Sequence, residues 1–474
     1  AADEAPPWDV NAPRGEVRHA RFATDEGTWL NLDVSPDGRR IVFDLLGDLY
    51  LLPIAGGEAT RLTSGPAFDL QPRFSPDGRE ISFTSDRGGG DNIWRLPLDG
   101  GEPVQVTREK FRLLNNAVWS PDGEWLVARK HFTATRSLGA GEMWIYHRSG
   151  GEGLQLTKRK NDQQDAGEPA LSPDGRFVYF SEDVSPGPNF QYNKDPHGII
   201  YAIRRLDRET GELVDLVRVQ GGAVRPQPSP DGRSLAFVRR VRGNTVLSLF
   251  DLESGEIRAL WDGLSRDQQE AWAIFGVYPN YAWTPDGARI VVWAQGRLWS
   301  VDVRSGAPSP IPFTAQVDQV LSEPLRYSYR LEEGEFAPRM IRDAATSPDG
   351  RTLVFHAVGR LWRKALPDGT PQRLTTSEDF EYAPAFSADG RQLAFIRYSD
   401  EAQSRVVVRT LGSGREREVN ARPGFHFSPR FSPDGNSLVY SRQAPGGLVD
   451  YRFGLDTGIW IQPLDGGQAR RVHR

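Results

Sequence analysis

QPRFSPDGREISFTSDRGGGDNIWRLPLDGGEPVQVT, residues 71–107, is one full unit of a pattern that recurs along the chain. Its SPDG tetrapeptide is a turn with a mechanism. Pro presets φ at the first corner, Asp suits the second, and Gly accepts the positive φ that follows. From Glu80 to Thr84 polar and apolar residues alternate, placing Ile81 and Phe83 on one face. SDRGGGD then turns the chain, NIWRLPL reads as a third strand, LDGGE turns again, and Val104 to Thr107 makes a short fourth. Short strands joined by tight turns form an antiparallel meander.

Working outward, the tetrapeptide or a near copy begins at Ser35, Ser75, Ser120, Ser172, Ser229, Thr284, Ser347, Ser387 and Ser432. Successive spacings are 40, 45, 52, 57, 55, 63, 40 and 45 residues, a period that suits a four-stranded unit. Such a sheet has two apolar faces and cannot cover both alone; stacking copies around an axis does so. The expected fold class is therefore all-β, a β-propeller of about nine four-stranded blades. Phe74, Trp119, Trp283, Phe386 and Phe431 precede the turn, and Trp94, Trp144, Trp299, Trp362 and Trp460 occupy the third strand. These aromatics read as inter-blade core. Only Ser265 to Ala273 (SRDQQEAWA) reads as a helix.

Two arrangements satisfy the repeat: one large ring, or a six-blade ring followed by three further blades. The organisation expected is a 1–15 N-terminal extension, blades 1–6 over 16–308, a long connection over 309–342, and blades 7–9 over 343–474. EVRHARF (16–22) reads as an outermost strand of the kind that completes a last blade and locks the ring, although Ala469 to His473 already supplies the ninth unit with a fourth strand. Insertions fall at 181–198, 262–280 and 309–342, and long loops on a regular scaffold are frequent sites of function.

At 474 residues the chain can bury a large core. Its net charge of −5, with Arg and Asp interleaved in turns, provides no field for nucleic acid. It has no cysteine, which excludes disulfides and thiolate metal sites. No apolar stretch has transmembrane length. The opening AADEAPPWDVNAPRG is similar to what signal peptidase leaves behind an Ala-x-Ala site, so export to the periplasm, or secretion, is expected.

The unit resembles the WD-like repeat of TolB-type propellers, found also in tricorn-like and prolyl-oligopeptidase-like proteases, and the likeness runs through nearly the whole chain. A narrower likeness lies in DEGTWLNLDVSPDGRRIVFDLLGDLYLLPIAGGEATRLT (25–63) and SPDGRTLVFHAVGRLWRKALPDGTPQRLT (347–375). Both look like the N-terminal propeller region of secreted bacterial amidohydrolase-family proteins, in which a metal-dependent hydrolase domain follows. The chain departs from that pattern because its seven histidines (His19, His131, His147, His197, His356, His426 and His473) form no H-x-H pair. The resemblance thus implies a non-catalytic propeller that gates or positions substrate for a metal-dependent hydrolase domain or subunit outside this chain. The alternative is a TolB-like periplasmic scaffold that binds a peptide or protein at the tunnel mouth.

No catalytic or metal-binding residue and no cofactor is expected in this chain. A G-x-S-x-G elbow is missing, GGGD (88–91) lacks the Lys and helix of a phosphate loop, and turn aspartates bond their own backbone. Asp195-Pro196-His197 is the one local acid–imidazole pairing. The candidate ligand-binding set comes from aligning the units four residues before the turn: Asn31, Gln71, Asn116, Glu168, Arg225, Asn280 and Asp343, followed by Ala383 and Ser428. A propeller's first strand lies nearest the axis, so the seven polar residues are expected to ring the tunnel. They would either bond neighbouring blades and tunnel water or hold a ligand, with Arg225 between Glu168 and Asp343 suited to a carboxylate.

Overall fold

The computed structural model describes residues 9–13, 15–110, 113–133, 139–187, 194–195, 197–323, 329–330, 334–419, 422, 424–443 and 456–474. The chain divides into two compact units, 1–326 and 327–474. Every regular element among the described residues is a strand, and none is a helix long and apolar enough to cross a membrane.

Six blades of four consecutive antiparallel strands build the first unit: 32–61, 69–105, 113–155, 166–217, 224–261 and 282–311. Each SPDG turn is closed the same way. In the second blade Ser75 Oγ donates to Asp77 Oδ1 at 2.6 Å, Arg79 N–H donates to that oxygen at 3.1 Å, and Glu80 N–H donates to Ser75 Oγ at 3.0 Å. These bonds hold the Asp77 carboxyl below its usual range, the serine hydroxyl being the largest cause. Between blades the aromatics pack as their alternation requires. Phe74 and Trp94 join Ile81 and Phe83 against Val42 and Leu49 of the preceding blade, and Trp119 joins Leu126 against Ile93.

Ring closure differs from the expectation for EVRHARF. The strand Val17–Thr24 pairs antiparallel with Phe313–Ser322, which runs parallel to Gly57–Arg61 on the outer edge of the first blade. The segment therefore widens the first blade to six strands and does not complete the last. The ring closes by direct contact of the sixth blade with the first. Leu32 N–H donates to Asn280 O at 3.2 Å, Gly27 N–H to Gly296 O at 2.9 Å, and Trp293 Nε1–H to Gly27 O at 2.7 Å. Since each blade already holds four strands of its own, no strand exchange is needed.

Residues 262–280 carry no helix, contrary to the reading of Ser265 to Ala273. Asp267 is held by Arg240 at 2.6 Å and by the Thr245 hydroxyl at 2.7 Å, and the Gln269 amide donates to Gly221 O at 3.0 Å. Side-chain anchors to the fifth blade thus replace the i→i−4 ladder. In the fourth blade's insertion His197 N–H donates to Asp195 Oδ1 at 3.0 Å, a local turn bond; Pro196 and 188–193 lie outside the described residues.

The second unit holds three blades of the same pattern: 342–373, 380–418 and 425–473.

Candidate functional site

The aligned polar position is a backbone feature before it is a side-chain one. Gln71, Asn116, Glu168, Arg225, Asp343, Ala383 and Ser428 all have φ between 49° and 59°. At each, the register between first and second strands slips, as between Leu70 and Arg73 or Gly167 and Ala170. Each is a β-bulge in the left-handed region, and bulges re-aim side chains. At Asn31, Gln71 and Glu168 the side chain meets the residue thirteen positions later, on the second strand. Asn31 Nδ2 donates to Asp44 Oδ2 at 2.8 Å, Thr84 Oγ1 donates to Gln71 Oε1 at 3.2 Å, and Ser181 Oγ donates to Glu168 Oε2 at 2.6 Å.

The same side chains latch neighbouring blades. Gln71 N–H donates to Asp44 Oδ2 at 2.8 Å, Asn116 N–H to Gln71 Oε1 at 2.9 Å, and Arg225 N–H to Glu168 Oε2 at 2.7 Å. Asn280 N–H donates to Asn31 Oδ1 at 3.0 Å, which joins the sixth blade to the first. The Arg225 guanidinium crosses the axis: Nε donates to Tyr278 O at 2.7 Å, and Nη1 donates to Asn116 Oδ1 at 2.8 Å and to Asn280 Oδ1. Its Nη2 lies 3.3 Å from Glu168 Oε1, an ion pair without hydrogen-bond geometry.

The structure therefore brings together six of the seven candidates: Asn31, Gln71, Asn116, Glu168, Arg225 and Asn280. All six are buried, at 1–3% exposure. Asp343 is the exception. It lies in the second unit and is exposed, its carboxylate accepting Ala383 N–H at 3.2 Å and sitting 3.7 Å from His356 Nδ1. Its neighbours are the blades of a separate sheet stack, so it does not complete the first unit's ring.

At one end the axis is filled by the chain itself. The Gln71 amide donates to Phe275 O at 2.6 Å, Asn115 Nδ2 donates to Ile274 O at 3.0 Å, and Val277 N–H donates to Glu168 Oε1 at 2.6 Å. Gly276 is required here: a Cβ on it would lie 1.9 Å from Arg225 Nη2. Burial pulls Arg225 down to about 10 and pushes the Asp44 carboxyl up to about 7, against three N–H donors that lower it.

At the turn end the axis stays open in a cavity of about 240 Å³, lined by Asp33, Arg73, Phe74, Val118, Trp119, Leu171 and Gln227 among others. Arg73 is 6% exposed, and its Nη1 lies 3.4 Å from Asp33 Oδ1. Arg73 Nε and Gln227 Nε2 have no hydrogen-bond partner. Burial raises the Asp33 carboxyl above its usual range, against Arg73. Chemically, the mouth sets the Arg73 guanidinium, the Gln227 amide and the Asp33 carboxyl beside Phe74 and Trp119, groups of the kind that meet a peptide or amide.

Residues 30–139 match the tricorn protease N-terminal beta propeller domain. The Tol-Pal system protein TolB of Bordetella pertussis is 47% identical over 58 residues, 12% of this chain and 13% of that protein. The repeat is similar to that of tricorn-type and TolB-type propellers. Tricorn protease homolog 1 of Streptomyces coelicolor is 27% identical over 284 residues, 57% of this chain and 23% of that protein. The uncharacterized peptidase YuxL of Bacillus subtilis is 35% identical over 159 residues, 32% of this chain and 21% of that protein. The matched region spans less than a quarter of the length of each of these relatives. The crystal structure of the tricorn protease aligns over 93% of this chain and 49% of its own, at 16% identity and a TM-score of 0.47.

In this propeller the sequence reading missed two parts of the axis. One is the partner thirteen residues on, Asp44, Thr84 or Ser181. Its signal is a polar residue ending an apolar second strand, as in RIVFD and EISFT. The other is the 274–278 segment, whose contribution is chiefly backbone and leaves no mark in residue type. The cavity residues Arg73 and Gln227 were also passed over, although both interrupt an apolar or proline-rich strand just before the turn.

Proposed function

We propose that this chain is the non-catalytic propeller scaffold of a periplasmic hydrolase of the amidohydrolase type. It positions a peptide or amide segment for metal-dependent chemistry carried by another domain or subunit. One observation carries the reading: the first ring's axis is plugged by residues 274–278 at one end and opens at the other into a cavity lined by Arg73, Gln227 and Asp33. Such an axis suits docking at the mouth and not passage through the ring. Partial matches to much longer proteins named as a protease and a peptidase support the hydrolase setting.

A TolB-like interaction scaffold with no enzyme is the second reading, favoured by the 47% identity to TolB. The two readings separate on the complete gene product from its native host. A metal-dependent amidase activity that copurifies with the chain, while residues 1–474 alone turn over no peptide, amide or lactone, supports the first. Copurification of a partner without hydrolase activity supports the second. Turnover by residues 1–474 that a point substitution within them abolishes would overturn both.

A further inference from the structure

Within the second unit, blades eight (380–418) and nine (425–473) enclose a cavity of about 460 Å³, lined by Val419, His426, Tyr440, Arg442, Trp460 and Leu464 among others. His426 pairs with Arg442, and Tyr440 with Trp460, in blade nine's antiparallel ladder, so the four side chains share one face. His426 is fully buried, and its bonds fix its tautomer. A carbonyl only accepts, so the 3.0 Å contact from Nδ1 to Ser404 O makes Nδ1 the protonated nitrogen. The Ser404 hydroxyl agrees with this, since it donates to Gly424 O at 2.8 Å. Nε2 is then a bare acceptor, and among the described residues it has no hydrogen-bond partner. Burial, with Arg442 beside it, pulls the imidazole down to about 4, so it is neutral at ordinary pH. The third blade fills the corresponding place differently. There Leu114 stands six residues before the turn, as His426 does, and packs with Tyr146. Lys130 stands ten residues after the turn's start, as Arg442 does, with Nζ 3.9 Å from the Trp144 ring centre and 2.6 Å from Glu109 Oε1. Glu109 follows Val106 by three residues, and Arg422 follows Val419 by three. Where the third blade sets an acid against its cation, blade nine thus sets a second cation. Both guanidinium groups lie against the Trp460 ring, at 5.7 and 6.0 Å from its centre. A wall that gathers like charges favours an anion.

We propose that this cavity binds an N-acylated amino acid through its carboxylate and its amide N–H, the ligand being free or the last residue of a peptide. The carboxylate lies toward Arg422 and Arg442, where charge-assisted hydrogen bonds hold it. The amide N–H donates to His426 Nε2, the one fixed acceptor of the wall that lacks a partner among the described residues. An aliphatic side chain lies against Val419 and Leu464. The acceptor sets the specificity: a simple carboxylate brings no donor and leaves Nε2 unpaired, which costs affinity. All of these residues belong to the second unit, apart from the first ring's mouth, so the inference does not rest on the hydrolase setting.

The test is isothermal titration calorimetry on residues 1–474 with three probes. N-acetyl-leucine carries both the carboxylate and the N–H, N-acetyl-leucinamide lacks the carboxylate, and isocaproate lacks the amide. N-acetyl-leucine should bind about tenfold more tightly than either of the others. His426→Leu, which makes the third blade's apolar choice, should lower N-acetyl-leucine to the affinity of isocaproate. Isocaproate binding and the circular dichroism spectrum should stay as they were, which separates a lost acceptor from a lost fold. Arg422→Gln, on an exposed side chain, should weaken both carboxylate probes and leave N-acetyl-leucinamide unchanged. A leucine-ended tetrapeptide that binds more tightly than N-acetyl-leucine assigns the site to a peptide end; one that binds no more tightly assigns it to the free N-acyl amino acid. A native chain that binds none of the probes, or all three alike, overturns the proposal. So does a His426→Leu protein that keeps the preference for N-acetyl-leucine, or an Arg422→Gln protein that binds the carboxylate probes unchanged.

Discussion

The six-blade ring and the three-blade unit use one device in two surroundings. In both, a left-handed bulge on the first strand aims a side chain at the residue thirteen positions later and at the next blade's N–H. In the ring that device is Glu168 with Ser181 and Arg225, all buried. In the three-blade unit it is Asp343 with His356 and Ala383, and Asp343 is exposed. The polarity of this position therefore comes from a backbone latch that any blade pair can make. Only closure of the ring, with the 274–278 segment across it, converts the latches into one buried network. A polar network in that setting is high-stakes, because an unpaired buried group keeps its full desolvation cost.

The largest difference between ring and three-blade unit should come from Arg225→Ala. It removes a buried guanidinium and takes from Glu168 its ion-pair partner, so a loss of about 3–5 kcal/mol in unfolding free energy is expected, read from the denaturant midpoint of the first unit. A loss under about 1 kcal/mol would show that the network is slack.

Asp44 gives a pH-dependent effect. Its folded carboxyl is raised to about 7 from an ordinary 3.8, so the folded state holds the proton more tightly than the unfolded chain. Its contribution is full below about pH 4 and is lost as pH rises to about 7. The stability difference between the native chain and Asp44→Asn should fall by roughly 2–4 kcal/mol over that window. A difference that stays flat with pH would mean the carboxyl titrates normally.

Asp343→Ala should cost about 0.5 kcal/mol or less in the second unit, since water replaces the lost acceptor at an exposed site. A cost comparable to that of Arg225→Ala would show that the two surroundings do not differ as described.

The smallest effect belongs to the turns, which are alike in both units. Ser75→Ala and Ser432→Ala remove the hydroxyl that donates to Asp77 and Asp434, and each carboxyl should then titrate at higher pH. Side-chain carbon NMR across an acid titration would record both shifts. Unequal shifts would separate turns that the structure draws alike.

Much of the fold was legible because its determinants are short in sequence. The turn bonds span two to five residues, and strand alternation spans six or seven. EVRHARF reads as an outermost strand, but its blade stays open in the sequence, because its partner Phe313–Ser322 is about 300 residues away. SRDQQEAWA has helical composition, yet Arg240 and Thr245 hold Asp267 and draw the segment toward the axis.

The candidate ring was legible in part for the same reason. Alignment on the turn located six residues that do meet, and it swept in Asp343, since the repeat carries no mark of which ring a blade joins.

By itself, then, the sequence determined the blade: its turns, its four strands, its two apolar faces and a polar position on the innermost strand, all from contacts within some forty residues. The tertiary structure alone decided that the first six blades close on one another, and that their axis is plugged, with its open mouth at Arg73 and Gln227. Those outcomes rest on pairs such as Gln71 with Phe275, 204 residues apart, and on which apolar faces find a partner. Local chemistry specifies a face; only the assembled ring determines what covers it.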